Sequence, residues 1–329
     1  MPTRRSLSFA AMMLLGGGAV TLALAQVDFG GGLGGFGGGG GGGYGGGGRG
    51  FGRGGGGRGG RFGEEYLAGN EPITPLPRDR TGVPEWPVDP QFKSDVFTFV
   101  RIRYHSVPQG TYFDDGIRKT GGGWKNDWAS SDLDVSFRLQ QMTSMKVNPE
   151  PVQLQLTDPR LFDYPFIYMI QVGRLELTPE EVDILRRYLL NGGFVMADDH
   201  WGVAERRNWQ EQMKRVFPDR PQVEIGLDHP VFHCVFDLKA KPQVPPIQLW
   251  YRWQQLGEPE RSWKDPNDRE PRYYAIYDDH NRMMAIECAN TDLGDGWERE
   301  GENEEFFHRF SEKQSYPMAI NIIFYAMTH

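Results

Sequence analysis

The chain reads as an α/β domain built on a mainly parallel sheet covered on both faces. Two observations predict this. The first is the alternation of periods from residue 95 onward: strand, helix, strand, strand, helix, strand, helix. Right-handed crossovers turn that order into a parallel sheet. The second is residues 192–202, Gly-Gly-Phe-Val-Met-Ala-Asp-Asp-His-Trp-Gly. A short apolar run bounded by glycines is the mark of a buried parallel strand, and this one ends in Asp198, Asp199 and His200. Ligands of open α/β sheets gather outside the carboxyl ends of the strands. Those three residues therefore mark the expected functional edge.

Val96–Tyr104 is rich in β-branched and aromatic residues and predicts the first strand. Gly121–Gly123 then Trp124 form a loop. Ser130 or Ser131 is the expected cap of a helix running to about Met145, with Leu133, Phe137, Leu139 and Met142 as its apolar positions. Val152–Leu156 and Phe166–Val172 predict two strands. Thr178-Pro179-Glu180-Glu181 is a capping box with proline at the first helical position. Val182, Leu185, Tyr188 and Leu189 give that helix its buried stripe, and Gly192-Gly193 stop it. Glu205–Phe217 predicts a further amphipathic helix ended by Pro218. Asp228–His233 begins a strand-like piece, and 239–271 is an irregular insertion. Tyr273–Tyr277 and Met283–Ala289 predict a C-terminal β-hairpin, Asn290–Glu298 a loop, and Pro317–Met327 a last helix burying Ile320, Ile323, Phe324 and Met327.

The stretch before residue 95 does not read as part of the fold. Residues 1–25 have the charged start (Arg4, Arg5), apolar middle and Ala23-Leu24-Ala25 ending of a signal peptide. The expected destination is the periplasm or cell envelope, with no transmembrane anchor after cleavage. The Thr3–Leu7 start leaves general and twin-arginine export both open. Residues 26–63 are a glycine-rich tether expected to be disordered, since 25 of the 34 positions from 30 to 63 are glycine. Residues 64–94 are a proline-rich linker expected to lie extended along the domain, which spans 95–329. The net charge is −8, and residues 1–63 carry six arginines against one acid, so the remainder is at −13. A body that acidic argues against a nucleic-acid partner. Cys234 and Cys288 are the only cysteines, and an oxidising compartment leaves both a disulfide and two free thiols open.

Several phrases occur in one order: Asp158-Pro159 to Phe162 with Tyr164-Pro165-Phe166, Leu185–Leu189 with Gly192-Gly193-Phe194, Ala197-Asp198-Asp199, Asp228–His233, and Thr291–Glu298. Together they resemble the bacterial domain-of-unknown-function family 4159 over about residues 95–329. The resemblance implies a flavodoxin-like, three-layer fold of the class I glutamine amidotransferase-like group. Proteins of this kind stand beside MoxR-type ATPases and von Willebrand A-type proteins, which implies an envelope protein or cell-wall component as partner. An amidotransferase needs a cysteine on a sharp turn after a strand and a histidine to deprotonate it. The corresponding turn here is Asp198-Asp199-His200, and Cys234 beside His233 lacks the glycine-flanked elbow. Glutamine hydrolysis is thus not expected.

The candidate ligand-binding residues are Arg103, Arg174, Asp198, Asp199, His200, Asp292 and Asp295. Asp198, Asp199 and Asp292 are the metal candidates, and oxygen donors of this kind suit Mg²⁺, Mn²⁺ or Ca²⁺. The alternative is structural: Asp198 accepts loop amides and Asp199 caps the next helix. Strand alternation sends the two aspartates to opposite faces. Arg101, Arg103 and Arg174 are suited either to buried ion pairs or to an anionic ligand. His229 and His233 flank Pro230, which rules out the two-histidine zinc helix. Trp124, Trp128, Trp201 and Trp297 offer either sugar-stacking faces or core. Two functions remain: a non-catalytic envelope domain that binds a ligand or partner, and a metal-assisted hydrolase of glycans or phosphoesters.

Overall fold

The computed structural model describes residues 73–92, 95–106, 112–114, 117–119 and 123–329. The expected signal peptide (1–25), the expected glycine-rich tether (26–63), residues 64–72 and Gly121-Gly122 lie outside the described residues. The strands are β1 (Val100–Ile102), β2 (Tyr112–Asp114), β3 (Ile117–Lys119), β4 (Val152–Leu154), β5 (Phe166–Ile170), β6 (Phe194–His200), β7 (Val223–Glu224), β8 (Arg272–Tyr277) and β9 (Met283–Ala289). The helices are α1 (Ser130–Met142), α2 (Pro179–Leu190), α3 (Gly202–Val216), α4 (Ile247–Gln255), α5 (Leu293–Glu298), α6 (Glu304–Phe306) and α7 (Tyr316–Thr328), with a π-helical stretch at Phe307–Ser315.

Seven strands form one sheet in the order β4-β1-β5-β6-β9-β8-β7, and β2 and β3 pair separately. The first five are parallel to their neighbours, while β8 and β7 run antiparallel at the far edge. Numbered along the chain, the parallel strands stand 2-1-3-4-5, the flavodoxin-like order. The topological switch falls between β1 and β5.

The alternation of each strand divides the core in two. Phe166, Tyr168, Ile170, Phe194 and Met196 face one layer with Val135 and Leu139 of α1, Ile247 and Trp250 of α4, Leu293 and Trp297 of α5, and most of α7. Ile167, Met169, Val195 and Ala197 face the other with Val182, Leu185 and Leu189 of α2 and Trp209, Met213 and Val216 of α3. The capping box of α2 forms as expected: the Glu181 amide donates to Thr178 Oγ1, and Glu181 accepts from the Thr178 amide. Gly192 supplies the left-handed turn at φ +101°. Gly193 serves a different need, since a Cβ there would stand 2.4 Å from the Tyr188 ring.

Several expectations are corrected. Neither Ser130 nor Ser131 caps α1; Ala129 holds that position, and Ser131 lies inside the helix. Met142 is 47 % exposed and Met327 41 % exposed, so both fall off their predicted buried faces. Asp228–His233 forms a 3₁₀ turn at Pro230–Phe232, with the His229 ring accepting from the Val231 amide. The irregular insertion holds α4, and the loop expected at 290–298 holds α5. α5 has only six residues, too few for a periodic signal, and α4 starts after a proline without a side-chain cap, so it carries no clear start signal. Of the two states left open for Cys234 and Cys288, the structure has free thiols.

Residues 74–86 of the proline-rich stretch pack against the sheet and α1. Thr74 exchanges two hydrogen bonds with the side chain of Gln153 on β4. Arg80 donates to the Pro149 carbonyl and the Trp86 indole to the Val147 carbonyl. Leu76, Val83 and Trp86 cover Ala129, Leu133, Trp128 and Phe137 at the start of α1.

Candidate functional site

The site begins with a defect in β6. Its pairing with β9 slips between Ala197 and His200, where three residues of β6 answer two of β9. Asp199 sits in that β-bulge at φ +50°. An extra residue resets the alternation. Asp198 keeps the direction of Phe194 and Met196, and Asp199 remains electrostatically joined to the same group of acids. The regular alternation on which the opposite-face expectation rests is broken at this bulge. His200 is turned toward α3, where its Nε2 lies 2.9 Å from Glu287 Oε1. Burial opposes the imidazolium of His200, but the hydrogen bond and charge of Glu287 outweigh it and raise its pKa. The hydrogen-bond partner of His200 is thus Glu287 and not an aspartate, although the charge of Asp198 also raises its pKa.

Three stretches of chain bring carboxylates together. Asp127 comes from the turn before α1, at φ +60°. Asp198 and Asp199 come from the end of β6. Asp292, Asp295 and Glu298 come from α5 and its cap. Asp198 Oδ2 accepts from the Gly294 amide at 3.0 Å and from the Tyr168 hydroxyl at 3.1 Å. Asp292 caps α5 by accepting from the Asp295 amide at 2.9 Å. Asp295 accepts from the Ile247 amide and so ties α5 to α4. Asp199 accepts from the Trp201 indole at 2.8 Å. It does not cap α3, whose N-cap residue is Trp201, without a side-chain capping bond.

All five aspartates are buried, and for Asp127, Asp198, Asp292 and Asp295 burial with repulsion between neighbouring acids favours the protonated form. Burial and then Asp199 push Asp198 up to about 7. Burial, then Glu298, Asp295 and Asp199 hold Asp127 well above the usual carboxylate range. Burial, then Asp199, Asp295 and Asp127 do the same to Asp292, and burial and then Glu298 to Asp295. Oxygens of Asp127, Asp295 and Glu298 lie within 4.8 Å of one another, a grouping that can hold a metal ion.

The cations nearby are mostly engaged. Arg101 is fully buried beneath α1. Its Nε donates to both oxygens of Asp132 at 3.0 and 3.1 Å, and its Nη1 to the carbonyls of Trp124 and Asn126. Arg299 stands 2.7 Å from Glu298 and 3.6 Å from Asp295. The Arg103 guanidinium lies over the Trp124 ring at 5.6 Å, and Arg174 ends the 3₁₀ turn after β5. Both belong to the switch point. Trp124 and Trp297 are fully buried and Trp201 nearly so, so they offer no open face to a sugar.

Asp198, Asp199, Asp292 and Asp295 are legible in the sequence as candidates, and they do converge. Asp127 and Glu298 are not. Glu298 stands three residues after Asp295, on one helical face, a signal visible only once 293–298 is seen as helix. Asp127 sits in a stretch without period, and nothing in the sequence joins it to α5.

The family described as "Domain of unknown function (DUF4159)" matches residues 99–327. No curated protein matches the chain.

Proposed function

We propose, for a chain that belongs to the DUF4159 family, that the domain is an exported, non-catalytic binding module of the cell envelope and that its ligand is cationic. The observation that carries this reading is the group of six carboxylates from three separate stretches at the carboxyl edge of the sheet. Like charges so placed repel unless protons or a cation lie between them. The strand end where an amidotransferase-like protein would carry its cysteine holds Asp198 and Asp199 instead. Cys288 is fully buried within β9, and burial pushes its thiol well up. Cys234 donates to the Asn321 carbonyl, and burial raises its pKa too. Neither is suited to act as a nucleophile.

The predicted signal peptide and tether support delivery to the envelope. No helix among the described residues is long and apolar enough to cross a membrane. The partner is then an envelope protein or cell-wall component that brings an amine, or a divalent metal that bridges to it. The test is the melting temperature of the full chain with Mg²⁺, Mn²⁺, Ca²⁺, spermidine and cell-wall fragments. A ligand selective for the folded state raises it, and no rise with any of them overturns the reading. Turnover of a model phosphodiester with Mn²⁺ would instead favour the metal-assisted hydrolase.

A further inference from the structure

The geometry points to a binding site for one hard divalent cation, Ca²⁺ before Mg²⁺, formed by Asp127, Asp295 and Glu298. This deepens the cation-binding reading and rests on it. Asp295 and Glu298 are one turn apart on α5 and share a face. Asp127 meets them from the turn that leads into α1, so the site bridges two elements packed on the same face of the sheet. The three donor oxygens lie within 4.8 Å of one another. Ca²⁺ takes about six to eight oxygens in a flexible geometry, whereas Mg²⁺ is usually held by one or two carboxylates and keeps its waters, so three protein carboxylates favour Ca²⁺.

A second observation is independent of the grouping. Asp127 is only 8 % exposed, and its Oδ2 has no hydrogen-bond partner. Buried carboxylate oxygens are ordinarily satisfied, and here the neighbours are two more carboxylates. Arg299 is paired with Glu298 and Asp295, and when metal displaces the protons of the three carboxyls it neutralises one of three negative charges. Two remain, which one divalent ion cancels. Water completes the shell, as is usual for Ca²⁺.

The experiment uses the full chain, stripped with chelator and titrated with Tb³⁺ as a luminescent stand-in for Ca²⁺, then with Ca²⁺ in competition. Trp128 and Trp297 adjoin Asp127 and Glu298 in sequence and provide the sensitising indoles. We expect Tb³⁺ emission on tryptophan excitation, its displacement by Ca²⁺, and weaker displacement by Mg²⁺. Asp127→Asn keeps a residue tolerant of positive φ and should weaken Ca²⁺ binding at least tenfold, with the chelated protein's melting temperature unchanged or higher. Glu298→Gln should do the same and guards against misfolding of a single variant. Unchanged Ca²⁺ affinity in both variants, with binding lost in Asp292→Asn, overturns this site but leaves the cation-binding reading standing. No response of the unmodified chain to Tb³⁺, Ca²⁺, Mn²⁺, Mg²⁺ or spermidine overturns both.

Discussion

Gly294 and Asp198 are joined by one amide-to-carboxylate hydrogen bond of 3.0 Å across 96 positions of sequence. The contact leaves no room for a methyl group: a Cβ on Gly294 would stand 2.9 Å from Asp127 Oδ2 and 2.9 Å from the Tyr168 hydroxyl. Gly294→Ala should therefore cost ~1–3 kcal/mol through overpacking. A chemical-denaturation midpoint equal to the parent's would mean that α5 shifts freely on β6.

Asp198 carries two separable contributions, as acceptor and as charge. Asp198→Ala strands the Gly294 amide and the Tyr168 hydroxyl and should cost roughly 1–3 kcal/mol. Asp198→Asn keeps an acceptor oxygen and removes repulsion with Asp199, so it should cost clearly less. Equal urea midpoints for the two variants would contradict this division.

Arg101 and Asp132 form a buried ion pair between β1 and α1. Removing one partner of such a pair leaves an uncompensated buried charge. Asp132→Ala should cost ~3–5 kcal/mol. Arg101→Lys should also destabilise, because an ammonium cannot reach Asp132, Ser131 and two carbonyls at once. Equilibrium unfolding of both variants is the check.

Leu185 is fully buried between α2 and the sheet. Its truncation to alanine should cost ~2–5 kcal/mol. An unchanged denaturation midpoint would place the apolar face of α2 elsewhere.

The acid group sets a pH dependence. Asp198 is pushed up to about 7 from an ordinary 3.8. Between those values the folded chain holds a proton that the unfolded chain has lost, so stability falls as pH rises through that window. The raised Asp127, Asp292 and Asp295 act with the same sign. The lowered Asp158, Asp237 and Asp279 act oppositely, but they are surface groups and their window lies at or below the usual carboxylate range. In chelator, the melting temperature should decline from about pH 4 to about pH 7, by the equivalent of a few kcal/mol at most. Saturating Ca²⁺ should flatten the decline, because metal displaces those protons. A melting temperature that climbs across this range in chelator would refute the charge assignment.

The helices and strands with strong local signals are legible in the sequence: the capping box at Thr178, the glycine-bounded run at Phe194 and the hairpin around Met283. Each rests on interactions between residues close in sequence. The bulge at Asp199 is not legible, because a single inserted residue leaves the composition of a strand unchanged while reversing the direction of every side chain after it. Sequence reading therefore gathers His200 with the aspartates, and the structure pairs it with Glu287. Asp127 escapes notice for a related reason: its role comes from α1 packing on α5, a contact between distant parts of the chain that no local pattern encodes.

The strap at 73–86 bears on where this protein begins as a folding unit. The family match starts at residue 99, yet Leu76, Val83 and Trp86 roof the apolar start of α1. Thr74 and Arg80 fasten the outer side of β4 and its approach. At the opposite edge β7 has only two residues. An open strand edge is a template on which another chain can add. A protein trimmed to the limits of its family would uncover the apolar patch of Trp128, Leu133 and Phe137, a surface expected to favour association. The segment matched by the family is shorter than the segment that closes the apolar start of α1.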